Sequence, residues 1–469
     1  MKEVVMKGFH ILVLLALTCF SNAGAQAQLP AGTLQKIDKV AADALAKTGV
    51  PSASVAVVKD GKIVYLQAYG SAKLDPALPA TPEMRYSIGS NSKQFTATAI
   101  LLLQEQGKLS LDDKVGKFIP ELTRANDVTI RQLLSHTSGY QDYWPQDYVM
   151  PSMLQPTTAR KILDTWAHKP LDFEPGTQWQ YSNTNYVIAG LIVEKASGQP
   201  LLRFLQQNVF APLDMKSVAD IDKAKLGDTD PTGYLRYALG PPRPAPKEGS
   251  GWLFAAGELA MSAGDLAKWD IGIIDRKLMK PASYQQFETE VLLKNGLGTG
   301  YGLGVDVRSE FGHRSLAHSG EVSGFTSKNI VFPDERIAVV VLTNQDATDV
   351  SGVIAGGIAP LLLASDDPAA PEKLARVRKI FDGLQHGTID RSLFTGNANF
   401  YFNEQALKDF AGSLGPLGKP EEFVQGKQES RGGMKQSEYI IKFPTTKLSV
   451  WTYEMPDGKF EQYQITAAN

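Results

Sequence analysis

Apolar and polar positions along the chain predict a hairpin followed by a helix soon after residue 50. Segment 51–70, PSASVAVVKDGKIVYLQAYG, holds two runs rich in β-branched residues on either side of Asp60-Gly61. An Asp-Gly pair between two such runs is a strong hairpin signal, because both residues tolerate positive φ. A largely apolar stretch over 95–106 follows and ends at Gly107, which predicts a helix.

Further helices and a second hairpin are predicted later in this part of the chain. The stretch NYVIAGLIVEKASG predicts a helix that ends at Gly198, and SKNIVFPDERIAVVVLTNQ predicts a second hairpin. The apolar VSGVIAGGIAPLLLA then predicts a further helix. Strands at both ends with helices between them predict an α/β layer in which the first and last strands share one sheet.

A change of composition at 365–371, SDDPAAP, is typical of a linker. Beyond it, helical patterns over 372–384 and 404–414 precede three strand-like runs, YIIKF, KLSVWTY and KFEQYQI, the last two joined across 456–458. We therefore predict a small α+β domain over 372–469.

The first residues have the pattern of a cleaved export signal. A weakly basic start precedes an apolar core from Phe9 to Phe20, and alanine-rich small residues follow, which predicts a signal peptide over 1–27. The apolar core is about a dozen residues, whereas a spanning helix needs roughly 20. We expect an exported protein, periplasmic or secreted. Lipid attachment at Cys19 is the alternative, although Leu17 and Thr18 fit it poorly.

Composition excludes several classes of partner and of chemistry. The chain has 469 residues with 48 basic and 50 acidic side chains, which indicates two domains and predicts neither a nucleic-acid nor an anionic-membrane partner. Cys19 is the only cysteine, so the mature chain would have no disulfide or thiol nucleophile. The six histidines are scattered, and phosphate-loop and dinucleotide motifs are absent. We predict no metal and no cofactor.

Ser90-x-x-Lys93 at the start of the first predicted helix is the main candidate for nucleophilic chemistry. Residues three apart lie on one helix face, so the Lys93 amine can approach the Ser90 hydroxyl. The helix N-terminus also favours negative charge that develops there.

Each of two further motifs can be interpreted as part of an active site or as an ordinary structural feature. Tyr181 and Asn183, in QYSNTN, are a candidate base and a positioning amide if a cation such as Lys93 lowers the tyrosine pKa; the alternative is a helix-capping turn. His318 and Gly320, in LAHSGEV, precede the second hairpin, where glycine would let a substrate lie against the strand. A surface turn is the alternative there.

In this order, the three motifs S-x-x-K, Y-x-N and H-x-G resemble the penicillin-binding-protein-like serine hydrolases. That family includes class C β-lactamases, D-alanyl-D-alanine carboxypeptidases and related esterases. The resemblance covers roughly residues 34–364 and includes TIRQLLSHTSG, AAGELAMSAGDLAKW and YGLG. It implies a β-lactamase-like α/β (α+β) domain over 28–364, with an antiparallel sheet flanked by helices.

The resemblance also implies roles. Ser90 would be the acylated nucleophile, Lys93 and Tyr181 would move its proton, and Asn183 would position them. The backbone N–H groups of Ser90 and Glu321 would form the oxyanion hole. Whether Tyr181 or Lys93 is the main base stays open.

The third motif departs from the family pattern. His318 stands where many relatives have lysine, which weakens the constant positive charge that holds a drug carboxylate. Glu321 follows Gly320 and would repel a carboxylate unless Arg308 offsets it. We therefore predict a substrate with an ester or amide carbonyl. It would be a small molecule or a peptide, and cell-wall peptides are among the candidates. A D-alanyl-D-alanine carboxypeptidase or class C-like β-lactamase is the alternative, and a non-catalytic binding protein is a third.

Three smaller expectations complete the site. His136 is expected to be structural rather than a fourth catalytic group. Tyr140, Tyr143 and Trp144 are expected at the substrate entrance, with packing inside their own long loop as the alternative. Since an imidazole titrates near neutrality, His318 is expected to govern any change of activity between about pH 6 and 7.5.

Overall fold

A computed structural model gives the structure of residues 29–146, 148–363 and 370–468. The predicted signal peptide over 1–27 and most of the predicted linker over 365–371 lie outside these residues. Among the described residues, no helix is long and apolar enough to cross a membrane.

The described residues up to 363 contain twelve strands, which form one seven-stranded sheet, one three-stranded sheet and one two-stranded sheet. They are β1 (Ser52–Lys59), β2 (Lys62–Leu74), β3 (Ala77–Pro79), β4 (Tyr86–Ser87), β5 (Ala219–Asp220), β6 (Tyr234–Leu235), β7 (Arg243–Pro244), β8 (Leu259–Met261), β9 (Asp306–Glu310), β10 (His313–Val322), β11 (Phe325–Phe332) and β12 (Ile337–Thr343).

The seven-stranded sheet has the order β3-β2-β1-β12-β11-β10-β9, and neighbouring strands are antiparallel. Both predicted hairpins are confirmed. Strand β1 pairs with β12, with Ala53 opposite Thr343, so the first and last strands share the sheet as expected. The first turn places Asp60 at φ 53° and Gly61 at φ 73°, the conformation that an Asp-Gly pair tolerates.

Nine helices flank this sheet in the described residues up to 363. They are α1 (Ala31–Thr48), α2 (Ser92–Glu105), α3 (Ile130–Leu134), α4 (Ala159–Trp166), α5 (Asn183–Ser197), α6 (Leu201–Leu205), α7 (Ala263–Ile274), α8 (Pro281–Phe287) and α9 (Val350–Leu363). Helices α1 and α9 cover one face, while α7 packs on β1 and β12 at the other face and α2 packs against α5 beyond it. This is the predicted antiparallel sheet flanked by helices.

Residues from 370 onwards form an α+β arrangement with its own hydrophobic cluster. Its elements are α10 (Ala370–Gln385), α11 (Gly396–Tyr401), α12 (Glu404–Leu414), β13 (Glu422–Arg431), β14 (Met434–Lys442), β15 (Lys447–Glu454) and β16 (Phe460–Ala467). The four strands follow chain order in one antiparallel sheet. Sequence patterns predicted three strands and missed β13, because EFVQGKQESR is almost entirely polar.

Candidate active site

Ser90 lies in a 3-10 turn, Gly89–Asn91, that leads directly into α2. The helix starts three residues earlier than its apolar run suggested, and the turn packs against β10. Gly89 has φ 51°, and a Cβ there would lie 2.7 Å from the backbone nitrogen of Glu321. Only glycine fits this position, and its presence brings the turn that carries Ser90 into direct contact with β10.

Lys93 is fully buried beside Ser90. Its Nζ lies 2.8 Å from Ser90 Oγ, 2.8 Å from Asn183 Oδ1 and 2.9 Å from the Ala256 carbonyl oxygen. Burial lowers the pKa of Lys93 to about 7, and the nearby charge of Asp142 opposes this shift only in part. The amine is therefore divided between its charged and neutral forms near neutral pH.

Tyr181 lies just before α5, with its ring centroid 4.9 Å from Lys93 Nζ. Burial raises the pKa of Tyr181 far above its usual value, and a hydrogen bond with Ser90 opposes this only in part. The expectation that a nearby cation would lower the tyrosine pKa is therefore wrong, because loss of solvent dominates. Tyr181 is a protonated phenol at neutral pH.

Asn183 is the first residue of α5, and its side chain joins Lys93 to a carboxylate. Its Oδ1 accepts from Lys93, while its Nδ2 lies 3.3 Å from Asp142 Oδ2. The Asn183 backbone N–H donates to Asp142 Oδ1 at 2.9 Å. Sequence reasoning missed Asp142, although it follows the quoted family segment LLSHTSG closely along the chain.

His318 is buried, and its ring is held at both nitrogens. Its Nδ1 contacts the Ser319 carbonyl and its Nε2 lies 2.8 Å from Tyr301 Oη. A proton on Nδ1 and donation from the Tyr301 hydroxyl to Nε2 satisfy both contacts. Burial and the positive charge of Lys93 lower the pKa of His318 to about 3. The expectation that His318 titrates near neutrality is corrected: it stays neutral there, and Lys93 titrates instead.

Two residues predicted to bind substrate lie elsewhere. A Cβ on Gly320 would come within 1.9 Å of the Ile88 carbonyl oxygen, so this glycine serves the packing of β10 on the nucleophile turn rather than a substrate. Arg308 has a side chain 62% exposed and pairs with Asp306 at 3.2 Å. It is not among the residues that line the pocket, whereas Asp306 is.

His136 has contacts that fit a structural role. Its ring is buried, its centroid lies 4.3 Å from that of Tyr181, and its Nδ1 accepts the Ser182 N–H at 3.2 Å. Burial lowers its pKa well below the usual value. Of the three expected entrance aromatics, Tyr143 and Trp144 line the pocket, whereas the buried Tyr140 hydroxyl donates to the Thr123 carbonyl.

An open pocket of about 560 Å³ lies over this site. Its lining includes the predicted Ser90, Tyr181, Asn183, His318 and Glu321. Four carboxylates line it, those of Asp142, Asp306, Glu321 and Asp346, but no lysine or arginine of the described residues does. Among the described residues, no group of three or more histidine, cysteine or acidic side chains could hold a metal ion. The pocket therefore has reactive polar groups at its floor and an acidic wall.

Fold and site together define a protein of the serine β-lactamase type. The family model described as Beta-lactamase matches residues 37–359, and the chain belongs to this family, whose members are serine hydrolases that act on small-molecule or peptide substrates. The resemblance inferred from the three motifs is confirmed at this level.

Individual relatives are distant. Protein flp of Staphylococcus aureus (strain N315) is 29% identical over 327 residues, which are 67% of this chain and 63% of that protein. The octameric penicillin-binding protein homologue from Pyrococcus abyssi has a TM-score of 0.63 at 23% identity and covers 92% of this chain and 99% of its own. D-amino acid amidase from Ochrobactrum anthropi SV3 has a TM-score of 0.62 at 23% identity, covering 71% and 99%. The two structures show the shared fold.

Proposed function

We propose that this protein is an exported serine acyl hydrolase in which Ser90 attacks an ester or amide carbonyl and forms an acyl-enzyme. The observation that carries the proposal is the set of contacts of Lys93 Nζ. Two carbonyl oxygens, of Asn183 and Ala256, lie at 2.8 and 2.9 Å. A neutral amine has two N–H groups to donate to them and one lone pair, which is left for the Ser90 hydroxyl at 2.8 Å.

Acylation follows from this arrangement. Neutral Lys93 takes the proton of Ser90 as the hydroxyl oxygen bonds to the substrate carbonyl carbon. Tyr181, a phenol hydrogen-bonded to Ser90, gives its proton to the departing alcohol or amine and regains one from Lys93. The leaving group departs protonated, and the acyl group remains on Ser90. Water then attacks the ester with the same groups in reverse order.

The oxyanion hole is proposed at the backbone N–H groups of Ser90 and Glu321. Support comes from the close contact that Gly89 permits between the nucleophile turn and the Glu321 backbone nitrogen. One donor lies in the turn before α2 and the other on β10, and two such donors stabilise the negative oxygen of the tetrahedral intermediate. These donors need no particular side chain at residue 321.

The acidic wall favours substrates without a carboxylate next to the scissile bond. Two like charges 4 Å apart cost about 4 kcal/mol at an effective dielectric of 20, which offsets several hydrogen bonds. Arg308 lies outside the lining and pairs with Asp306, so it offsets that carboxylate alone and leaves the other three of the wall. We propose faster turnover of small acyl esters than of D-alanyl-D-alanine peptides, and slow or no turnover of cephalosporins.

Substrate class is tested with a nitrophenyl ester, a diacyl-Lys-D-Ala-D-Ala peptide and a chromogenic cephalosporin assayed side by side. Fastest turnover of the peptide would favour the carboxypeptidase alternative and refute the charge argument. Export is tested separately, by N-terminal sequencing of protein recovered outside the cytoplasm, where we expect a start near residue 28.

The nucleophile is tested by reacting the protein with a fluorescent phosphonate and locating the adduct by mass spectrometry. We expect one adduct, on Ser90, and none in Ser90→Ala. Equal labelling of Ser90→Ala would refute the proposal. Ester turnover that is lost in Ser90→Ala would also exclude the binding-only alternative.

A further inference from the structure

The Asp142 carboxylate contacts the site from the loop that follows α3. Its Oδ1 accepts N–H groups from Asn183 and Trp144 at 2.9 and 3.1 Å, and its Oδ2 lies 3.3 Å from Asn183 Nδ2. Two of these three contacts are with Asn183, the residue whose Oδ1 accepts from Lys93.

We propose that Asp142 is a positioning residue for the Ser90–Lys93 pair, fixing the Asn183 amide with its carbonyl oxygen towards the lysine amine. This inference rests on the proposed function, because it concerns the geometry of the same proton transfer.

The reason lies in the two ends of the asparagine amide. One end is an acceptor and the other a donor, and exchanging them changes the shape of the side chain very little. A carboxylate only accepts, so Asp142 binds the NH₂ end and directs Oδ1 at Lys93. With the amide reversed, Nδ2 would face the amine, one lysine N–H would lose its acceptor, and the lone pair would no longer be reserved for Ser90.

Asp142 also supplies the negative charge that acts on Lys93, partly opposing the effect of burial on the lysine pKa. The other titratable groups facing the amine are uncharged near neutral pH. Tyr181 and Tyr186 present their rings at 4.9 and 5.5 Å, and low pKa values keep His136 and His318 neutral. Removing the Asp142 charge should therefore lower the Lys93 pKa further.

The test is Asp142→Asn, which keeps the shape and removes the charge. For a nitrophenyl ester we expect kcat to fall at least ~10-fold with KM within about threefold, since a misplaced base slows chemistry rather than binding. The acid limb of the kcat/KM profile should move to lower pH by at least about 0.5 unit. Asp142→Ser, which retains an oxygen for the helix N–H groups, should move it in the same direction.

Asp222→Asn is the matched control. Asp222 is a buried carboxylate that, like Asp142, accepts two backbone N–H groups, here from Gly251 and Leu253 at 2.8 and 3.1 Å. Among the described residues, Asp222 has no hydrogen bond to Lys93 or Asn183. Removing its charge should therefore leave the midpoint of the acid limb of the kcat/KM profile in place.

The positioning role would be overturned if the midpoint of the acid limb of the kcat/KM profile stays in place in both Asp142 variants. It would also be overturned if that midpoint moves by the same amount in Asp222→Asn. Either result could occur while the phosphonate still labels Ser90, so a failure of this inference is distinguishable from a failure of the proposed function. If Asp142→Asn misfolds and Asp142→Ser does not, the Asp142→Ser variant tests the positioning role.

Discussion

Helix α2 of the hydrolase part and helix α10 of the C-terminal part bury different kinds of side chains. Helix α2 is buried from Ser92 to Leu103, and this stretch includes a lysine, a glutamine and two threonines. Helix α10 contributes the apolar Val377, Ile380, Phe381 and Leu384 to its cluster. A buried polar group without a partner costs about 1–3 kcal/mol, so α2 depends on complete pairing in a way that α10 does not.

That pairing is present on α2. Gln94 bonds to Asn91 and accepts from Trp269, and Thr96 and Thr98 donate to backbone carbonyls. Lys93 has three oxygen partners. Helix α2 is therefore organised to hold a lysine amine out of water, whereas the C-terminal part is organised for packing.

The largest expected effect comes from removing the amine. Lys93→Met should lower the acylation rate by about 10³-fold, because it removes the general base while filling a similar volume. Stopped-flow measurement of the burst with a nitrophenyl ester checks this, with circular dichroism as the control for folding. Loss of less than about tenfold would mean that another group takes the Ser90 proton.

Removing the phenol hydroxyl should have a smaller effect. Tyr181→Phe keeps the ring beside Lys93 and deletes the donor to the leaving group, so we expect about a 10²-fold slower acylation. The reduction should be weaker for an ester with a nitrophenolate leaving group, which needs little protonation, than for an amide. Comparing both substrates in both proteins measures this difference, and equal reductions would contradict the assigned role.

A substitution in the C-terminal core should have the opposite effect: it should lower stability and leave the reaction of Ser90 nearly unchanged. Phe381 is fully buried, with its ring 5.9 Å from that of Phe423 and 6.2 Å from that of Phe443. Phe381→Ala should destabilise residues 370–468 by about 3–5 kcal/mol while leaving the phosphonate reaction of Ser90 within about twofold. Hydrogen exchange measured by mass spectrometry locates the loss, and a parallel loss of labelling would show that the two parts depend on one another.

The smallest effect is expected at Arg308. Its side chain is largely exposed and bound to Asp306, and an exposed ion pair contributes only about 0–1 kcal/mol. Arg308→Ala should therefore change kcat/KM for a nitrophenyl ester and for the D-Ala-D-Ala peptide by less than about threefold. A selective loss of peptide turnover would show that this arginine grips a carboxylate after all.

Much of the fold was readable from the sequence because its signals are local. The Asp60-Gly61 turn, the apolar run of α9 and the glycine at 198 that ends α5 each act within a few residues. The approach of Lys93 to Ser90 was predictable for the same reason, since helix geometry fixes a spacing of three.

The rest of the site depends on burial and on backbone atoms, which the sequence does not display. The Ala256 carbonyl that accepts from Lys93 belongs to a residue with no reactive side chain. The sequence predicts a Tyr181 pKa lowered by Lys93 and a His318 pKa near neutrality, and both expectations miss the effect of burial. Asp142 could have been found, since it follows a segment already matched to the family and carries the one carboxylate of SGYQDYWPQ, residues 138–146.

The most direct test of the central claim is the pH dependence of Ser90 acylation. If neutral Lys93 is the base, the burst rate must rise with pH and level off above a midpoint near the lysine pKa of about 7. The same midpoint should persist in His318→Gln and disappear in Lys93→Met. A rate that does not change from about pH 5 to 9, or a midpoint that disappears in His318→Gln instead, would contradict the account.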